Sequence, residues 1–399
     1  MKSKFIKNIL IFIFSMIGVL VYFKILALYI SVDILAEYFK IKAFGLILYY
    51  LFSFRYSEFS YILKAQNNYN LVRMKNIFGL YSIYALSISL LFIILFNIFD
   101  IPIYLYIVSY LIFLLNDLVD SYVAINRLYH KYIMIFFIKS ILILKPLLFY
   151  FIFLDDLQNI DFSEILVFEL YFHLLFAIFI LYLVLKNINF YNLFLYKRVY
   201  ARNIINIKNT WLGSISKIPY EALPTFLLSF FVSSVHFVEY NIARKVYAMI
   251  NYANQPFLQV LNTFSIEYKN NFKKYCILYY SVIIILNLFI VFIIFGYGEY
   301  AISFLSSEIY ATTHTLNLVY IMFSIYMMYN LIYPYRQYLV LNKYLKANNK
   351  ATIYTIIILL LSICIFIPMY KTYAMSIIQP IGLILPLVIT IYLLKKDKI

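Results

Sequence analysis

The sequence predicts an all-α polytopic membrane protein, with about 12 transmembrane helices in two six-helix bundles related by a pseudo-two-fold axis along the membrane normal. Three observations carry that prediction: the composition, the length of the apolar runs and the alternating charge of the connections. Of 399 residues, 65% are hydrophobic and 13% charged, more apolar character than the single core of a water-soluble chain requires. A spanning helix needs roughly 20 mainly apolar residues, and the chain supplies such runs repeatedly. Transmembrane β-strands would instead be runs of roughly 10 residues in strict alternation.

In chain order the expected spans are 7–30, 40–62, 77–99, 102–124, 132–154, 165–186, 209–233, 240–264, 275–296, 312–340, 351–370 and 374–394. The first follows Lys2, Lys4 and Lys7 as a signal peptide would. It is longer than a signal's apolar region and lacks a small-residue cleavage site, and eleven spans follow it, so it is taken as the first span. It contains Lys24, and the second contains Arg55 and Glu58. The third is uncharged; the fourth carries Asp117 and Asp120, the fifth Lys139 and Lys145, and the sixth Glu169. The seventh holds Lys217 and Glu221 between or beside Pro219 and Pro224, and the eighth holds Arg244, Lys245 and Pro256. The ninth, eleventh and twelfth are uncharged, and the tenth carries Arg336 alone. Prolines inside spans break helical hydrogen bonding and suit bending points.

Lysine and arginine in short loops stay on the cytoplasmic side, so the connections test the span order. One side collects 22 basic residues against two acids, Glu267 and Asp397; the other collects ten acids against Lys40, Lys42 and Lys371. Both termini are therefore expected in the cytoplasm. Basic loops beside an anionic leaflet also account for most of the net charge of +16, so no nucleic-acid partner is inferred. The expected organisation is an N-terminal bundle, 1–190, a cytoplasmic linker, 191–208, and a C-terminal bundle, 209–399. An internal match supports two halves: Glu37-Tyr38 and Lys42 recur as Glu239-Tyr240 and Arg244, offset by half the chain. A parallel repeat of this kind places a binding site between the halves, with Lys42 opposite Arg244.

The segment Val238-Glu239-Tyr240-Asn241-Ile242-Ala243-Arg244-Lys245, then Gln255-Pro256 and Gln259, resembles the signature region of bacterial polysaccharide transporters of the O-antigen flippase type. These belong to the multidrug/oligosaccharidyl-lipid/polysaccharide exporter superfamily. The hairpin Asp33-Ile34-Leu35-Ala36-Glu37-Tyr38-Phe39 resembles the first hairpin of that family. Val238 and Phe39 stand where the family usually has glycine, and the proline expected after Gln259 is missing. The resemblance implies a bacterial inner-membrane flippase, not an enzyme, that carries undecaprenyl-diphosphate-linked oligosaccharide from the cytoplasmic to the outer leaflet. Its implied partners are that lipid-linked substrate and membrane lipids, with a glycan polymerase and chain-length proteins as protein partners. No cofactor is implied beyond a coupling H⁺ or Na⁺.

The residues suit such a substrate independently. A dianionic diphosphate and a polar glycan need a hydrated cationic groove, and eight basic and five acidic residues lie within the expected spans. Each charge at mid-bilayer costs at least ~2.5–3.5 kcal/mol unless it meets a cavity or a partner. The candidate diphosphate or glycan contacts are Lys24, Lys42, Arg55, Lys145, Lys217 and Arg244, with arginine suited to bidentate phosphate contact. Arg55 with Glu58, at i and i+3, and Lys217 with Glu221, at i and i+4, are alternatively spaced to neutralise one another on their own helices. Lys139 and Arg336 sit where they can snorkel. Lys145, beside Pro146 near mid-span, has two readings: an interior site or an inter-helix pair with Glu169. Asp117, Asp120, Glu169 and Glu221 are the coupling-ion candidates, since neighbouring carboxylates raise one another's pKa and suit a proton site. A surface pairing of Asp117 or Asp120 with Arg127 is the competing reading.

Other chemistry is absent from the pattern. No G-x-x-x-x-G-K-[ST] loop exists to hold ATP phosphates. His130, His173, His236 and His314 lack metal-ligand spacing, and Cys276 and Cys364 indicate neither a disulfide framework nor a thiolate site. Two other functions remain open. An integral-membrane O-antigen polymerase would carry a large outer loop, whereas the outer connections here are short. An ion-coupled exporter of small cations fits poorly with net basic intramembrane charge.

Overall fold

Every regular element among the described residues is helical, as an apolar solvent demands of a chain that must satisfy its own backbone. The computed structural model describes residues 17–53, 56–57, 59–60, 63, 70–98, 104–129, 131–154, 157, 160–186, 197–248, 271–341 and 345–396. Seven helices among them are long and apolar enough to cross a membrane. The architecture is that of an α-helical membrane protein. Large side chains on the outward faces fit that solvent: Ile285, Leu288, Phe289 and Phe292 are each more than 60% exposed, an apolar belt that water would not tolerate at this extent.

The chain divides into two units, Glu37–Ile218, and Met1–Ala36 together with Pro219–Ile399. The boundary near Ile218 falls beyond the expected linker 191–208. The first 36 residues group with the C-terminal unit because α1 (Ile17–Tyr29) meets helices of that unit: Lys24 Nζ lies 4.9 Å from the Phe304 ring and Lys245 Nζ lies 5.8 Å from that of Phe23.

Most of α2 (Val32–Phe52) belongs to the first unit, with α3 (Leu71–Ile98), α4 (Tyr104–Leu128), α5 (Tyr132–Ile141), α6 (Leu144–Ile152), α7 (Phe162–Leu185), α8 (Lys197–Arg202) and α9 (Ile204–Ile215). Helix α4 is central: α3, α5 and α7 all pack on it, and it is buried along Val108 to Asn126, on all sides from Ser121 onward. Aromatic pairs Phe44–Tyr106, Tyr49–Phe113 and Phe52–Tyr110 join α2 to α4. At Gly45 the two backbones come so close that a methyl would overlap the Ser109 side chain and lie 2.8 Å from its carbonyl carbon, the small-residue contact typical of helices packing in lipid. Asp161 and Glu164 form a reciprocal capping box at the start of α7, which satisfies its first free N–H groups.

The second unit holds α1, α10 (Leu223–Leu228), α11 (residues 234–248), α12 (Phe272–Leu305), α13 (Thr313–Leu341) and α14 (Leu345–Lys396). Helix α13 packs between α12 and α14, and α10 packs on α14. A π-helical turn at Ile218–Ala222 precedes α10. Pro219 and Pro224, which lack a donor, flank the place where the helical ladder is re-spaced. Gly382 leaves room for the Tyr220 ring of that turn against α14. The 34 residues of α12 are about 51 Å of helix, well beyond the ~30 Å of hydrocarbon. The helix breaks at Tyr297, between Gly296 and Gly298.

The 52 residues of α14 are two helices broken at Lys371 (φ 51°, ψ −123°), between the expected spans 351–370 and 374–394. That conformation favours glycine, and a non-glycine residue there costs about 1–3 kcal/mol. Lys371→Gly is therefore expected to stabilise the protein by about 1 kcal/mol after the extra entropy of unfolded glycine is subtracted, read as a higher melting temperature in detergent.

Candidate functional site

Glu169 lies two turns into α7 and is 2% exposed. Three groups donate to its carboxylate. Lys42 Nζ reaches Oε2 at 2.8 Å, Lys145 Nζ reaches Oε1 at 2.6 Å, and the Tyr38 hydroxyl reaches Oε1 at 3.1 Å. Tyr38 and Lys42 are one turn apart on α2 and so share a face. Lys42 also sits 4.7 Å from the Phe113 ring centroid of α4.

Lys145 gets there through a break. Leu142, Ile143 and Lys145 donate to carbonyls three residues back rather than four, because Pro146 has no N–H and its ring would strike the carbonyl of Leu142. The α5 helix therefore ends and α6 restarts beside Lys145, with the ammonium delivered to Glu169. Of the two readings of Lys145, the structure shows the inter-helix pair, and it adds Lys42 to the same carboxylate. The acid is sealed, but the lysine side chains remain 19% and 14% accessible. One turn on, His173 is buried, and its Nδ1 has no hydrogen-bond partner among the described residues.

The other candidates are spread more widely. Asp117 is buried and accepts from the Tyr81 hydroxyl of α3 at 2.7 Å. Asp120, half exposed, pairs with Lys139 of α5 at 3.0 Å. In the second unit Arg244 is half-buried and donates to Thr225 Oγ1 at 3.1 Å, while its neighbour Lys245 is exposed. Tyr240, one turn earlier on α11, donates to Gln379 Oε1 of α14 at 2.8 Å. Lys217 and Glu221 flank and enter the π turn, and Lys24 lies over Phe304. Arg55 lies outside the described residues, as do Gln255, Pro256 and Gln259.

A second cluster lies in the second unit. His236 and Glu239, in the first turns of α11, meet His314 at the start of α13. His236 Nδ1 is 2.9 Å and His314 Nε2 is 4.0 Å from Glu239 Oε2, and Thr312 Oγ1 donates to Oε1 at 2.7 Å. Tyr310 is buried nearby; burial first and the Glu239 charge second push its phenol above the usual tyrosine range.

No family model and no curated protein matches the chain. Its chemistry therefore stands on these two clusters. Partners in both clusters were not picked out from the sequence. Tyr38 was legible as a hairpin residue, yet its i, i+4 relation to Lys42 already placed both on one face. His236 and Glu239 are likewise three apart on a helix, but their third member lies 75 residues on, where only the fold brings it in.

Proposed function

We propose that the chain is a flippase moving undecaprenyl-diphosphate-linked oligosaccharide, an O-antigen or similar repeat unit, from the cytoplasmic to the outer leaflet of the bacterial inner membrane. In this reading twelve spans form two six-helix bundles with both termini in the cytoplasm, and transport is ion-coupled alternating access. The observation that carries it is the Glu169 cluster: two ammonium groups converge on one carboxylate inside spans, a formal excess of positive charge in a chain whose solvent is lipid. Such a pair is suited to a diphosphate. Asp117, Asp120, Glu169 and Glu221 are the coupling-ion candidates. In the other unit, Arg244 offers a planar guanidinium suited to phosphate.

Deletion and complementation test the reading. A strain lacking the protein should retain lipid-linked glycan units on the cytoplasmic face. Single units displayed outside the deletion strain would instead mark a polymerase and defeat the proposal. In the complemented strain, Lys145→Gln and Arg244→Gln should abolish glycan export with expression intact, while Lys145→Arg and Arg244→Lys retain part of it. Full export by both Gln variants would show that the charges are structural.

A further inference from the structure

We infer that His236, Glu239 and His314 form a binding site for a divalent transition-metal ion of the zinc class, one that ties α11 to α13. Their donor atoms all lie within 4.8 Å of one another, the one such group of three among the described residues. Two imidazoles and a carboxylate are a ligand set that zinc accepts with a fourth position left open. Ligand bonds of ~2.0–2.2 Å put tetrahedral donors about 3.3 Å apart. The observed separations of 2.9 Å and 4.0 Å therefore bracket a loaded shell within side-chain rotation.

The surrounding groups orient the ligands as outer partners of metal sites do. Thr312 holds the Oε1 of Glu239 at 2.7 Å, which leaves Oε2 toward the histidines. The Tyr373 hydroxyl is 3.3 Å from His314 Nδ1, so Nε2 is the nitrogen turned to the cluster. Thr372 Oγ1, now 3.2 Å from that Nε2, is the contact an ion would replace. Both Thr372 and Tyr373 follow directly on the strained backbone of Lys371. Strain of this kind persists where surrounding contacts over-determine it, and here the break turns two hydroxyl side chains onto one histidine. Glu239 is buried and His236 is more than half exposed: the carboxylate is fixed, and one side of the site is open to an entering ion.

The site is independent of the transport reading, and its test needs no transport. The full chain, purified in detergent with a tag free of histidine and stripped with a chelator, is titrated with Zn²⁺ by calorimetry and melted with and without it. We expect one zinc per chain and a rise in melting temperature. His236→Ala removes an exposed side chain, so folding is not at risk, and it should weaken zinc binding at least about 100-fold; Tyr373→Phe, which keeps all three donors, should weaken it about 10-fold. Cobalt substituted for zinc should give the visible bands of a four-coordinate site, lost in His236→Ala. Absence of zinc binding in the wild-type chain, or unchanged affinity in His236→Ala, overturns the assignment.

Discussion

Glu169→Gln should destabilise the protein by about 3–5 kcal/mol, the range found when one partner of a buried ion pair is removed and the other is left charged. The effect belongs at the upper end because the carboxylate serves Lys42, Lys145 and the Tyr38 hydroxyl together. The glutamine keeps the volume and one acceptor, so the loss reads the charge rather than a cavity. Thermal unfolding in detergent or nanodiscs checks it, with Lys145→Gln and the double variant completing a cycle. The double variant should melt above Glu169→Gln, since it removes one ammonium that the single change strands. Equal melting of Glu169→Gln and the wild type would mean that the lysines find other partners at no cost.

Gly45→Val should be the most damaging change at an uncharged position, costing about 1–3 kcal/mol through overpacking. The first methyl already meets the Ser109 side chain and sits 2.8 Å from its backbone carbonyl carbon. Backbone cannot swing aside as a flexible side-chain tip can, so α2 must move off α4. Lys42 lies one turn away on α2, and the displacement is carried to the Glu169 cluster. The variant should therefore lose export as well as stability. Gly213, inside α9, has nothing within 4 Å of an added methyl, and Gly213→Ala should gain about 0.5–1 kcal/mol of helix stability. The contrast separates close approach from helix propensity in a single pair of melts.

What the sequence revealed and what it hid follow one physical division. Helical class and the long apolar runs were legible because lipid imposes length and composition on each span separately. Seven such helices emerge where runs were expected, and one of them breaks at Lys371, between the two expected runs it joins. Pairings across helices were not legible in the same way. Lys145 had Glu169 as an expected partner because both are stranded in adjacent spans. Lys42 did not, because by charge pattern it read as part of an outer hairpin; only the packing of the unit brings it to α7. Asp120 read as a coupling carboxylate or an Arg127 partner, and Lys139 takes it instead. His314 joins Glu239 because the helix starts of α11 and α13 coincide, a property of the packed unit that no spacing along the chain encodes.

The bond between Lys42 and Glu169 spans 127 residues, and that separation has a consequence for biogenesis. Synthesis at ~5–20 residues per second delivers α2 roughly 6–25 s before α7. For that interval α2 carries an ammonium whose eventual partner does not yet exist, at a cost of ~2.5–3.5 kcal/mol if it enters lipid. It carries Asp33, Glu37, Lys40 and Lys42 and is not among the seven helices that qualify by length and composition. The ammonium of Lys42 therefore gains its acid partner only once α7 has been made, so the charge cluster closes late in synthesis.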